Sequence, residues 1–408
     1  MSTSLIHFLN HIALYAFPSV VIFIRDDISL SYSEIGVLAA IPTLLMVALT
    51  PLSGRTQLGF ENYVILGGLF VMGSSIVLMS SASNIFDLAL ANVVLGIGGA
   101  AYHPPGFSMV SHFYEEKKGE ALSINQGSGV IGSGIAPFSL VASAGLVGWR
   151  TTLVFCGGFA ILIVPLSAFL LIGVSDALRR FAFHLERDNE NQKSNTEANN
   201  RPLFLALLSL PIIIALFLAA CRSTIFRTVN IFTVTLMNDF YGLSKAESGL
   251  ASSIILLSGA LFSFMGGRFS DRAENGRMKV LITSGVGTAV FSLLIVIFGQ
   301  TLPAIVGITI FLLFVGMYFF AAANFMALLA EMVPPQHRTI AFSLNFSLGQ
   351  MAGALAPIIF GFLLDAYGFT AGMLYLLFVS VGALLVIMIL NRMIIVPQPL
   401  EAEGIIPA

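Results

Sequence analysis

Charge is what this chain lacks most. Only 10% of its 408 residues are Asp, Glu, Lys or Arg, against about 25% in a water-soluble domain. Apolar residues make up 57% of the chain, and the mean hydropathy is +0.93. A water-facing surface over the whole chain cannot be built from that inventory. The formal net charge is −2, so no basic excess is present to hold nucleic acid. Cysteine is scarce: Cys156 and Cys221 both sit in apolar segments. They lack metal-ligand spacing, and no structural disulfide is expected. Catalytic constellations are missing as well. No Ser/His/Asp set, carboxylate pair or metal cluster is convincingly spaced, and no large signalling module is present, so neither an enzyme nor a receptor is expected. The stretch from Ser4 to Ile24 is too long for a cleavable signal and runs straight into the next apolar segment, so it reads as a first membrane helix.

What is present is apolar length. A helix needs roughly 20 apolar residues to cross a bilayer, and twelve such segments can be counted. They lie near 4–24, 34–54, 62–82, 86–111, 119–143, 150–173, 203–237, 246–267, 279–299, 302–331, 339–363 and 370–395. The fold class is therefore an all-α membrane protein. Its expected division is a six-helix bundle over 1–174, a polar linker over 175–201, a second six-helix bundle over 202–396, and a tail over 397–408. The linker is rich in Asn and charge, which suits a short amphipathic helix and a flexible tract.

The two bundles are spaced alike. Leu30, Ser31, Glu34, Gly36, Gly54 and Arg55 recur 213 residues later as Leu243, Ser244, Glu247, Gly249, Gly267 and Arg268. Ser123, Asn125, Gly129, Pro137 and Gly148 recur 220 residues later as Ser343, Asn345, Gly349, Pro357 and Gly368. Duplicated apolar halves point to a transporter whose substrate site lies between them. Six spans per half give both halves the same orientation, related by a pseudo-two-fold axis along the membrane normal. Lys and Arg set the direction. Fourteen lie on the side of the termini and linker, and three, Arg25, Arg150 and Lys245, on the other. Both termini are expected in the cytoplasm and the chain in the plasma membrane.

On these residues the chain resembles the major facilitator superfamily over nearly its full length. Gly266-Gly267-Arg268-Phe269-Ser270-Asp271-Arg272 followed by Gly276-Arg277 is close to that family's Gly-x-x-x-Asp-Arg-x-Gly-Arg loop. The matching loop after span two keeps Gly54-Arg55 but has Gln57 and Leu58 in place of an Asp-Arg pair. Gly148-Trp149-Arg150 and Pro334-Pro335 with Arg338 are also typical. A narrower likeness is to the fosmidomycin-resistance-like branch, through His7-Phe8-Leu9-Asn10, Ala101-Tyr102-His103-Pro104-Pro105-Gly106 and Arg222-Ser223. In that branch an Asp usually follows the span-one Asn; here the position is His11. The resemblance implies a major facilitator fold and an exporter of small antibacterial compounds.

Candidate site residues follow from cost. A charge at the bilayer centre costs at least ~2.5–3.5 kcal/mol on insertion scales, yet span seven carries both Arg222 and Arg227. Five residues separate them, about 140° in rotation, so they face different ways. Arg222 is expected to be the cavity-facing anion hook. The alternative is that Arg222 pairs with a backbone carbonyl and Arg227 snorkels. His103 precedes two prolines, which free carbonyls of the preceding turn. It reads as a ligand or proton site, or as a cap on that freed backbone, with Tyr102 beside it. Asn10 and His11 lie in span one. His7 and His11 share a face at i, i+4, but no third ligand is near in sequence, so no metal site is expected. A proton relay or substrate contact is expected of this pair, or an interfacial position for His7. Asn125 and Asn345 are repeat-related and suit substrate contact or a hydrogen bond near the gate; Gln126 and Gln350 are similar. The runs around Gly129 and Gly349 read as close helix packing. Gly267, Asp271, Arg272 and Arg277 are the expected gating residues. Glu331 and Asp365, near span ends, read as solvated or capping, and Asp26 and Asp27 as solvated beside Arg25.

The cavity candidates are basic, which favours an anionic or acidic small organic solute, and the resemblance adds a drug-like one. The expectation is proton-coupled efflux by alternating access, drawing on a proton gradient and no cofactor, in a lipid-embedded monomer. An uncoupled facilitator or an importer of a small organic anion is the alternative.

Overall fold

The computed structural model describes residues 2–56, 60–114, 118–169, 209–333 and 338–395. The linker 175–201, the tail 397–408, and Gln57, Leu58, Pro334 and Pro335 lie outside the described residues. Every regular element within them is a helix: α1 Ser2–Leu14, α2 Ala16–Ile28, α3 Tyr32–Ser53, α4 Glu61–Ser80, α5 Ile85–Gly99, α6 His103–Phe113, α7 Lys118–Val147, α8 Trp149–Phe169, α9 Leu210–Asp239, α10 Lys245–Arg272, α11 Gly276–Phe298, α12 Ala304–Phe320, α13 Ala322–Glu331 and α14 Arg338–Ile395. Among the described residues eleven helical stretches are long and apolar enough to cross a membrane, and the last runs 52 residues, Phe342–Met393. It turns at Gly368 (φ 78°), so it makes two crossings and the total is the twelve expected.

The duplicated residues build the same local structures twice. Ser31 with Glu34, and Ser244 with Glu247, each form a reciprocal capping box that starts a span, satisfying donors that a helix end would leave open. Gly148 and Gly368 both take positive φ, 81° and 78°, between consecutive spans. That left-handed conformation disfavours any residue with a Cβ.

The two repeat sets meet each other across the molecule. A Cβ on Gly36 would overlap the carbonyl oxygen of Pro357, and one on Gly249 would lie 2.9 Å from that of Pro137. Span two of the first half therefore packs backbone-to-backbone on span eleven, and span eight on span five. Lipid offers little hydrophobic drive for helix pairing, so close approach of small residues supplies the contact. The amide of Phe138 also donates to Ser253 Oγ across this seam at 2.9 Å.

At one end the halves are clasped. Asp26 pairs with Lys245, and Asp239 with Arg25 and the Tyr32 hydroxyl. Asp26 and Asp239 are equivalent positions in the repeat, as are Tyr32 and Lys245, 213 residues apart in each case, so the clasp is itself pseudo-symmetric. Asp365 accepts from the amides of Tyr32 at 2.9 Å and Ser33 at 2.7 Å, and from the Ser33 hydroxyl. It caps a helix of the opposite half, where a carboxylate complements the dipole. Asp26 and Asp27 are exposed, as expected of a solvated end, and Asp27 also accepts from Trp149 Nε1 at 2.9 Å and pairs with Arg150. Beneath the clasp one apolar core spans both halves, joining Phe17, Ile24 and Leu38 to Phe232, Leu236 and Phe360. At the far end each half keeps its own core, one around Leu66 and Met109, the other around Leu281 and Leu329. The halves are thus shut together at the clasped end, while at the other the described residues form two separate apolar cores.

Candidate functional site

Two helix breaks position the site. Span one is interrupted at Tyr15, between α1 and α2, and span four through Ala100–Tyr102, just before Pro104 and Pro105. The second break brings His103 against the His7–His11 face of α1. Ring centroids stand 4.8 Å apart for His7 and His11, 5.4 Å for His7 and His103, and 6.1 Å for His11 and His103. One nitrogen from each lies within 4.8 Å of the others. The sequence placed no third imidazole near the pair; the fold supplies it from 92 residues away.

Each part of this cluster is held. His7, for which an interfacial position was the alternative, is fully buried. Its Nδ1 bonds the backbone carbonyl of Asn125 at 2.8 Å, and its ring stacks on Tyr102 at 4.6 Å. The Tyr102 hydroxyl lies 2.8 Å from the carbonyl of Thr3 and 2.9 Å from Asn125 Oδ1. Gly129 makes room: a Cβ there would stand 2.9 Å from His7 Nε2 and 3.0 Å from His11 Cδ2. Its expected packing role is therefore the seating of the imidazole pair.

The second half contributes Arg227. Its Nη2 donates to Gln350 Oε1 at 2.7 Å, its Nε is buried without a partner, and its side chain lies against Tyr15 of the first half. Phe346 closes over His103 at 6.1 Å between ring centroids. The polar centre thus has three imidazoles from one half and a guanidinium from the other.

Arg222 stands elsewhere. Its Nη2 donates to the carbonyl of Tyr318 at 3.0 Å, and its guanidinium lies 4.5 Å from the Tyr318 ring. The expected anion hook is thus occupied by a backbone carbonyl, and Arg227, expected to snorkel in that case, takes the inter-half position. Asn10 donates to Met72 Sδ at 3.1 Å inside its own half. Asn345 reaches Met326 Sδ at 3.6 Å, so the repeat-related asparagines do different work. Gly267 is no close-approach residue: a Cβ there meets nothing within 4 Å, whereas one on Gly266 would overlap the Phe320 carbonyl. Arg277 pairs with Glu331, joining α11 to α13 within one half; Glu331, expected as a solvated or capping acid, is exposed and carries this ion pair as well. Among the described residues Asp271 and Arg272 form no ion pair. A cavity of about 710 Å³ near Leu9, Ile76, Leu140 and Phe155 is lined without any charged side chain and offers nothing to hold an anion.

Comparison with known proteins gives the setting. The profile of the Major Facilitator Superfamily matches residues 3–234 and 215–404. A nitrite extrusion protein of Bacillus subtilis is 28% identical over 269 residues, 64% of this chain and 62% of that protein. A probable nitrate transporter, NarT, of Staphylococcus aureus is 24% identical over 265 residues, again 64% and 62%. Those matches thus span a little under two thirds of each relative. The uncharacterised transporter YfnC of Bacillus subtilis is 24% identical over 381 residues, 93% of this chain and 89% of that one. Among solved structures, an inward-facing, occupied bacterial homologue of the human lysosomal transporter Spinster superposes with a TM-score of 0.73 at 16% identity, covering 96% of both chains. The nucleoside transporter NupG gives 0.73 at 15%, covering 95% of this chain and 98% of its own. These likenesses establish the fold.

Proposed function

Because this chain belongs to the Major Facilitator Superfamily, we propose that it is a secondary active transporter that exports a small anion by alternating access, coupled to protons. The carrying observation is the position of Arg227: held on Gln350, it lies against Tyr15 of the other half, whose ring stands 6.2 Å from that of His11. A guanidinium presents several donors and a permanent charge, and the imidazoles add polar nitrogens beside it. Relatives named for nitrite and nitrate support an anion of that size. Small organic acids remain within the same chemistry. The branch-level likeness to fosmidomycin-resistance-like exporters belongs to this reading. Its motif residues His7, Tyr102 and His103 stand together in the cluster.

In this reading the two bundles are the moving units, and the expected divisions 1–174 and 202–396 are their limits. The excess of Lys and Arg at the far end makes that end cytoplasmic, with both termini. The clasped end then faces outward, and the state described is closed on the outer side of the plasma membrane. Proteoliposomes test it. Labelled nitrite, nitrate and small carboxylic acids are followed with and without a pH gradient. The wild type is expected to accumulate an anion against its gradient only when the pH gradient is imposed. His103→Ala is expected to lose that driven flux while retaining exchange. Full accumulation without a gradient favours an uncoupled carrier, and no anion flux from any probe overturns the reading.

A further inference from the structure

Three imidazole nitrogens in the first half are buried with nothing to bind. His7 Nε2, His11 Nδ1 and His103 Nδ1 are all buried and unpartnered, although a buried polar atom left unpaired costs about 1–3 kcal/mol. His7 shows how its free nitrogen is poised. Its Nδ1 is committed to the Asn125 carbonyl at 2.8 Å. A carbonyl only accepts, so the proton sits on Nδ1 and Nε2 is left as a bare acceptor. A buried imidazole whose far N–H is fixed by a carbonyl is the arrangement of a metal-ligating histidine.

We propose that His7, His11 and His103 form a site for a divalent transition-metal ion of the Zn²⁺ or Co²⁺ class, with a fourth position that faces Arg227 and takes an anion. Imidazole nitrogen suits these ions. Three histidines with one open position are a known zinc geometry, and ligation at ~2.0–2.1 Å sets the nitrogens roughly 3.4 Å apart. The present spread of up to 4.8 Å closes by side-chain rotation. Tyr102, Phe107 and Phe346 ring the site, and Gly129 leaves the space that a Cβ would fill. Arg227 decides what completes it. A guanidinium beside a bare dication is repulsive, and an anion between them turns both contacts attractive. The metal is held by one half alone, whereas the anion bridges the halves. Only that last part rests on the anion-transport reading.

The test reads the metal without transport. Full-length protein carrying no polyhistidine tag is titrated with CoCl₂ and ZnCl₂ in detergent. One equivalent of Co²⁺ is expected, with the intense visible bands of a four-coordinate ion, displaced by Zn²⁺. His7→Ala and His103→Gln are each expected to weaken binding at least tenfold while remaining monodisperse and helical; His184→Ala, in the linker, leaves it unchanged. Sodium nitrite is expected to tighten Co²⁺ binding in the wild type. In Arg227→Ala the ion alone binds more tightly and nitrite no longer helps. Absence of Co²⁺ bands, or bands that persist undiminished in both histidine variants, overturns the metal site. Intact metal binding without a nitrite effect overturns the bridging anion and counts against the anion reading.

Discussion

Arg227→Ala is expected to reduce anion flux in proteoliposomes roughly 10- to 100-fold, on the basis that a hydrogen bond to a charged group contributes about 1.5–3 kcal/mol. The residue donates to Gln350 and holds a second donor, Nε, buried and unpartnered, so a bound anion has a donor waiting. Arg227→Lys keeps the charge but loses the fork geometry, and an intermediate rate is expected. Arg222→Lys separates this role from a structural one. Arg222 is engaged with the Tyr318 carbonyl and ring, so its replacement is expected to lower thermal stability with a smaller change in apparent affinity. If Arg227→Ala transports at the wild-type rate, the anion does not contact it. If Arg222→Lys shows the larger loss of affinity, the hook is the other arginine.

A leucine at Gly36 has the second large effect. The Pro357 carbonyl occupies the space where its Cβ would go, and a backbone oxygen cannot rotate away. Overpacking of this kind costs about 1–3 kcal/mol. Here the cost falls on the state in which the clasped end is shut. Conformers of a carrier differ by only a few kcal/mol, so the equilibrium shifts towards an open clasped end and the cycle slows. Gly249→Leu acts at the equivalent seam, against Pro137 and Val141. Spin labels at Leu146 and Tyr367, 86% and 71% exposed, read the separation between the halves. Their distance is expected to lengthen in Gly36→Leu with helical content unchanged. An unaltered distance distribution, with normal flux, refutes the seam as a contact that closes.

Much of this architecture is legible in the residues alone. Apolar length sets the twelve spans, because a bilayer admits few alternatives. The spacing of Ser31 with Glu34 and of Ser244 with Glu247 carries a capping signature that the duplication makes conspicuous. Spacing cannot show that Gly36 meets Pro357 and Gly249 meets Pro137. It compares each half with its copy, and the contact runs between the two repeat sets across the pseudo-two-fold. The arginines show the same boundary. Rotation along span seven separates Arg222 from Arg227, but which faces the other half depends on where Tyr318 and Gln350 arrive. His103 joins His7 and His11 only because span four breaks before its prolines. A proline pair announces such a break without saying which helix the freed segment touches. Asp365 was legible as a cap, but its helix lies in the opposite half.

The central claim is that the clasped end must open and close for transport. Asp26→Cys and Lys245→Cys, in a background with Cys156 and Cys221 replaced by serine, place two thiols at one ion pair of the clasp. Bridging them with a short bifunctional thiol reagent whose linker is cleavable by reduction ties the halves together at that end. Flux is expected to stop on cross-linking and to return on cleavage, with each single-cysteine control unaffected. Undiminished flux through fully cross-linked protein would contradict the account.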